Sequence, residues 1–320
     1  MKIVAVETRL VRWPIEPRGA ARGVWRERAA LIVGVRGNGG ETGLGEAAPL
    51  PEMSIDELAD AHAAADALAA RVPFVIETPA HATGLADRVT AAPAARFALE
   101  TALLAAFAQR ARTSIAALWS ALPLGELSAA FVVENEDDAL SAVAAGARCL
   151  KIKAESPEIV HRVARALAGK RISNVRLRVD ANRRWPHDHV WSWLASLAAL
   201  PIDFVEEPCV DAALLLRDRL PCRVALDESL ITLDRAMLDR ALASPDLAAL
   251  VVKPTLLGGF ARCLELAGLA RKHGVAPIVS HALEGPIGYA ACTELARAIA
   301  CDLPVGLGPH PALDRFWEHA

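Results

Sequence analysis

ARCLKIK (147–153), VRLRVD (175–180), IDFVEE (202–207), CRVALD (222–227) and AALVVK (248–253) are five short apolar runs, and each closes on a charge. Helix-compatible segments lie between them, so the pattern is strand, then helix, repeated. Working outward, AAFVV (129–133) precedes the five, while APIVS (276–280) and PVGLG (304–308) follow, which makes eight candidate strands. Repeated β-then-α alternation implies a parallel sheet, and eight repeats favour a closed barrel over an open doubly wound sheet.

The first part of the chain has another rhythm. KIVAVETRLVRW (2–13) and RERAALIVGVRG (26–37) read as strands separated by a polar loop over about 17–25, and RGNGGETGLGE (36–46) reads as a hairpin turn rather than a phosphate-cradling loop, since no helix follows it directly. Two alanine-rich helices come next: SIDELADAHAAADALAARV, with Ser54 as N-cap and Glu57 three residues on, and PAARFALETALLAAFAQRA. The fold class is therefore α/β: a modified (β/α)8, TIM-like barrel over 122–309 with an α+β capping domain over 1–121, the tail 310–320 being expected against the cap.

Composition narrows the function. Of 320 residues 53% are hydrophobic, ample for a large core, and a net charge of −3 leaves no cationic surplus for nucleic acid. The six cysteines form no CxxC pair or zinc-type spacing, which excludes a disulfide framework and suits a reducing cytoplasm. MKIVAVETRLVRWPI lacks the apolar stretch of a leader, and no run reaches the roughly 18 residues of a membrane span. A soluble protein without membrane partners is expected, its oligomeric state open. Only six of the 35 basic residues are lysine, so a lysine here marks a place where an amine is wanted: unlike arginine, a desolvated lysine near other cations can act as a neutral base.

Active sites of such barrels lie at the C-terminal strand ends. Read in order, those ends supply Lys151 and Lys153, Asp180, Glu206 or Glu207, Asp227 or Glu228, and Lys253. Alternation lets Lys151 and Lys153 share a face and sends only one of Glu206 and Glu207 inward. A lone KxK reads as a solvated strand end and a lone EEP as a helix entry, but the ordered set has no such excuse, because buried charges in that number need partners. Three carboxylates in one mouth call for a hard divalent cation, Mg²⁺ with Mn²⁺ as substitute, and strands stepping about 45° around the barrel set the second and sixth, with their lysines, on opposite sides. That arrangement suits removal of a proton α to a carboxylate.

LKIK, RVDANRRW, FVEEPC, VALDESL, LVVKPTLLGG and IVSHALEGPIG resemble the barrel motifs of the enolase superfamily, with a looser likeness in GLGEAAPLP and ARFALETALL. The resemblance implies Asp180, Glu206 and Asp227 as metal ligands, Lys153 as general base, Lys151 as its neighbouring cation, Lys253 as the opposite lysine and Asn182 as support. It further implies a small carboxylate substrate and, in the most similar branch, syn loss of water from 2-succinyl-6-hydroxy-2,4-cyclohexadiene-1-carboxylate to give 2-succinylbenzoate in menaquinone biosynthesis. No organic cofactor is implied. Ser280, His281 and the rim glycines Gly258, Gly259 and Gly285 are candidate substrate contacts, and 18–25 is a candidate lid. Rival readings are a racemase of N-acylated amino acids, a dipeptide epimerase, a muconate-type cycloisomerase and an inert binding barrel. PVGLGPHPALD lacks the DxD with which dipeptide epimerases hold a substrate ammonium.

Overall fold

A computed structural model of the chain describes residues 1–20, 23–120, 124–211, 219–308 and 316, apart from the side chains of 16, 18–20 and 23. The amino-terminal part is a four-stranded antiparallel sheet, ordered β3-β2-β1-β4, built from β1 (Lys2–Ala20), β2 (Gly23–Gly37), β3 (Thr42–Ala47) and β4 (Phe74–Val75). Three helices cover it: α1 (Leu58–Ala69), α2 (Pro79–Val89) and α3 (Pro93–Ala111). The glycines of GLGE have a steric cause. A Cβ at Gly43 or Gly45 would overlap the carbonyl oxygens of Ala102 and Ala98, so only a bare backbone lets β3 lie directly on α3.

Two local expectations change. The expected loop over 17–25 belongs mostly to the hairpin: beyond a register shift between Pro14 and Arg18, β1 and β2 pair again from Arg18↔Trp25 to Ala20↔Gly23. Pro14 and Pro17 carry no N–H for a ladder, which is why the stretch reads as a break in the strand. Ala21 and Arg22 of the candidate lid lie outside the described residues. Ser54 does not cap α1: its hydroxyl accepts the Leu50 N–H, and the helix begins instead at Glu57, whose N–H is taken by Asp60.

The second part is a parallel sheet of seven strands in chain order: β5 (Phe131–Val133), β6 (Cys149–Lys153), β7 (Arg176–Asp180), β8 (Ile202–Glu206), β9 (Val224–Leu226), β10 (Leu247–Val252) and β11 (Ala276–Val279). The outer helices described are α4 (Glu136–Ala144), α5 (Glu158–Gly169), α6 (Val190–Leu197), α7 (Arg235–Leu242), the short α8 (Pro254–Leu257), α9 (Gly259–Lys272) and α10 (Pro286–Ile299). α5 shows why they pack as they do, burying the single stripe Val160, Val163 and Leu167 in the main apolar core. Every residue of β10 is buried, as expected of a strand covered on both faces.

The eighth strand shrinks to two residues. Val305 bridges Ala129 and Gly306 bridges Ser280, with the Val305 N–H reaching Ser128 and the Gly306 N–H reaching Val279, so these few bonds link β11 back to the start of β5. A run with Pro304 beside two glycines supplies neither the donors nor the side chains for a longer strand. No described helix is long and apolar enough to cross a membrane.

Buried polar groups join the two parts. Arg28 of β2 donates to the carbonyls of Ala48, Pro49 and Leu283, and Glu46 of β3 accepts the N–H groups of Gly285 and Gly288 at the start of α10. Phe316 stands edge-on to Trp13, ring centroids 4.9 Å apart. Glu100 of α3 accepts the Ala261 N–H at the start of α9, and burial pushes its carboxyl up to about 8. The folded protein then holds a proton that the unfolded chain loses above its ordinary value near 4.5, so this residue erodes stability as pH rises from there to about 8. Glu100→Gln should therefore be close to neutral at pH 5 and stabilising by on the order of 5 kcal/mol at pH 9, read by denaturant unfolding of both proteins. A gap independent of pH would contradict the assignment.

Candidate active site

The register of the sheet sets the site. Lys153 pairs with Asp180 and Asp180 with Glu206, so three adjacent strands deliver their last polar side chains at one level. Asp227 and Lys253 come one residue after β9 and β10. Lys151 and Lys153, two apart on β6, both line the same cavity, as alternation requires.

The three acids are 2–4% exposed: Asp180 4%, Glu206 2% and Asp227 4%. The Lys151 ammonium bridges two of them, 2.9 Å from Asp180 Oδ2 and 2.8 Å from Glu206 Oε1, while Lys253 pairs with Asp227 Oδ2. Burial alone would lower both lysines, but Asp180 and Glu206 around Lys151, and Asp227 around Lys253, outweigh it and keep both amines charged. On the acid side burial pushes Glu206 up to about 8 and Asp227 to about 6, whereas Lys151 overcomes burial at Asp180 and holds it below the usual range. The ammoniums of Lys151 and Lys253 thus offset the three acids only in part, and burial raises two of the three.

Among the described residues no three acidic, histidine or cysteine side chains converge closely enough to hold an ion. The donor chemistry nonetheless fits one. Asp180, Glu206 and Asp227 offer only hard carboxylate oxygens, the ligands of Mg²⁺ and Mn²⁺, and the Lys151 ammonium already sits as a cation between two of them.

The cavity measures about 590 Å³. Lys151, Lys153, Asp180, Asn182, Lys253, Ser280 and His281 line it, and Pro17, Trp25, Leu50 and Met53 of the amino-terminal part close over it. The Asn182 N–H donates to Asp180 Oδ1 at 3.1 Å. Ser280 Oγ donates to the Gly306 carbonyl at 3.0 Å. His281 Nδ1 accepts the Leu283 N–H at 3.3 Å, which places the proton of a neutral ring on Nε2.

Strand alternation alone leaves two acid pairs open, the resemblance implies Glu206 and Asp227, and the structure pairs each of these two with a lysine. Glu206 meets Lys151, whereas Glu207 turns away and is held by neighbouring loops. Asp227 meets Lys253, but Glu228 also lines the cavity, and its buried Oε2 has no hydrogen-bond partner among the described residues. Gly258 is a correction. It is not among the cavity-lining residues but ends α8 with a φ of +96° beside Arg96 of α3, so its role is a helix stop at a close approach. Leu50, Met53, Glu134 and Leu283 were not foreseen as lining residues. Nothing local marks Leu50 and Met53, since only the docking of the amino-terminal part brings them to the mouth; Glu134, one residue beyond β5, follows the same strand-end rule as the lysines.

A barrel with acids and lysines on successive strand ends, closed by a separate α+β unit, defines an enolase-type enzyme. Residues 134–316 match the family described as Enolase C-terminal domain-like, and 3–119 match the Mandelate racemase / muconate lactonizing enzyme, N-terminal domain; the chain belongs to the enolase superfamily. Its relatives include an o-succinylbenzoate synthase of Yersinia enterocolitica, 30% identical over 85% of this chain and 78% of that one. Another, from Edwardsiella ictaluri, is 29% identical over 88% and 82%. Among solved structures, a dipeptide epimerase from Methylococcus capsulatus complexed with Mg and L-Arg-D-Lys superposes with a TM-score of 0.81 at 26% identity, covering 96% of this chain and 90% of that one. The o-succinylbenzoate synthase from Thermosynechococcus elongatus BP-1, with Mg in its active site, gives 0.70 at 24% identity over 95% and 92%.

Proposed function

We propose that this chain dehydrates 2-succinyl-6-hydroxy-2,4-cyclohexadiene-1-carboxylate to 2-succinylbenzoate, the o-succinylbenzoate synthase reaction, as a cytoplasmic step of menaquinone biosynthesis. The observation that carries the reading is one cavity lined by Lys151, Lys153, Asp180 and Lys253, with buried Glu206 and Asp227 ion-paired to two of those lysines, in a chain about 30% identical to enzymes bearing that name. Asp180, Glu206 and Asp227 would hold Mg²⁺, which when bound supplies positive charge for the substrate carboxylate.

The lysines divide the remaining work. Lys151 bridges Asp180 and Glu206 and serves as a fixed cation; Lys153 lines the cavity with an exposed side chain and can reach substrate. Lys153 Nζ takes the proton on C1, and the electron pair of that C–H bond moves into the carboxylate as an enolate. The C6–O bond then breaks on the same face; the departing hydroxide recovers the proton from Lys153 and leaves as water. Lys253 stabilises the enolate from the other side without giving up a proton. Trp25, Leu50, Met53 and Leu283 cover the cavity with apolar surface suited to a six-membered carbon ring.

The epimerase likeness supports a second reading, because opposed lysines also suit two-base epimerisation. A side-by-side assay separates the two. With Mg²⁺ the cyclohexadiene substrate should yield an aromatic ultraviolet spectrum, and EDTA should abolish it reversibly. Turnover of N-succinylamino acids alone, or turnover insensitive to chelation, would contradict the reading.

A further inference from the structure

Glu207 takes no part in the scheme above, yet it is a carboxylate with 0% exposure, on a backbone whose φ is +40°. A non-glycine residue adopts that left-handed region at a cost, and a buried charge must be fully matched to persist. It is matched by four donors. Oε1 accepts the Asp227 and Ser229 N–H groups, both at 2.8 Å, and Oε2 accepts Ser229 Oγ and Arg183 Nε, both at 3.0 Å. Arg183 Nη2 also donates to Ser229 Oγ at 2.8 Å, which closes a triangle.

These partners lie on the three loops that carry the acids. Arg183 follows Asp180 by three residues, Glu207 follows Glu206 directly, and Asp227 is gripped through its own N–H. The main chain ties the same loops, with the Arg183 N–H on the Glu207 carbonyl at 2.7 Å and the Glu207 N–H on the Ala225 carbonyl at 3.0 Å. Asp180, Glu206 and Asp227 repel one another wherever cations do not fully offset them, and repulsion spreads loops unless something resists.

We propose that Glu207 is a positioning residue: through Arg183, Ser229 and the Asp227 N–H it fixes the spacing of Asp180, Glu206 and Asp227, and so sets the affinity for a divalent cation. The inference rests on the metal-centre reading above. Glutamine at 207 keeps the shape but gives the amide nitrogen no way to accept from Arg183, so one arm of the clamp opens.

Mn²⁺ titration of the full chain, followed by electron paramagnetic resonance without substrate, tests it. Glu207→Gln should weaken Mn²⁺ binding about 10–100-fold and Ser229→Ala, which deletes one donor, by a smaller factor. Val163→Ala, a cavity in α5 remote from the loops, should lower the melting temperature and leave Mn²⁺ affinity unchanged. Arg183→Met added to Glu207→Gln should weaken binding little further, since Arg183 acts through Glu207. If Glu207→Gln does not fold, Ser229→Ala decides. Wild-type binding with unchanged affinity in Glu207→Gln and Ser229→Ala overturns the inference alone, as does equal weakening by Val163→Ala. A wild-type chain that takes up no Mn²⁺ overturns the metal-centre reading together with it.

Discussion

Lys153→Arg should lower turnover of the cyclohexadiene substrate by about 10³-fold while leaving the protein folded. Arginine keeps the positive charge and much of the length, but it cannot release its proton in a protein, so the variant retains a cation where the reaction needs a base. Arginine also keeps the charge that acts on Asp180 from the end of β6, so stability should change by no more than about 0.5 kcal/mol. The loss should therefore fall on kcat, with the melting temperature nearly unchanged. Appearance of the aromatic product is the readout, and near-wild-type turnover would remove the assigned role.

Lys253→Ala should act on both activity and stability. Turnover should fall about 10²–10³-fold, the usual consequence of deleting one preorganised group that meets developing negative charge. Asp227, whose side chain is only 3% exposed, loses its ion-pair partner, and an uncompensated buried charge costs roughly 3–5 kcal/mol. Added Mg²⁺ should recover part of that stability by neutralising Asp227, yet it should not recover turnover, because in the proposed scheme Lys253 itself meets the enolate. Thermal unfolding with and without Mg²⁺, beside the ultraviolet assay, reads both effects. Stability and turnover restored together by the ion would mean that Lys253 serves only to balance Asp227.

Much of this was legible because barrel strands end where chemistry begins. Lys151, Lys153, Asp180 and Lys253 stand out as charges that close apolar runs, and period-two alternation correctly puts Lys151 and Lys153 on one face. Alternation also says that one of Glu206 and Glu207 points inward, but not which; the side is fixed by the sheet pairing of β8. Glu228 shows the limit of the rule. It follows β9 in a short helical turn (Glu228–Ile231), where strand periodicity no longer applies, so it lines the cavity while Asp227 pairs with Lys253.

Other features depend on contacts distant in sequence. Gly258 reads equally well as a substrate loop and as a helix stop, and only the approach of Arg96 distinguishes them. Trp25 and Met53 reach the cavity through docking that rests on Arg28, Glu46 and Glu100, none of which carries a local signature. Among the described residues the sheet closes through bridges at Val305 and Gly306, too brief a run to show any period.

The central claim is that Asp180, Glu206 and Asp227 hold one divalent ion while Lys153 and Lys253 lie on opposite faces of the substrate. A crystal of the chain grown with Mn²⁺ and 2-succinylbenzoate, measured for anomalous scattering, tests this directly. The account predicts a single peak about 2.0–2.3 Å from an oxygen of each of the three carboxylates, with the ring between the two amines. A peak elsewhere, no peak at those acids, or both lysines on one side of the ring would contradict it.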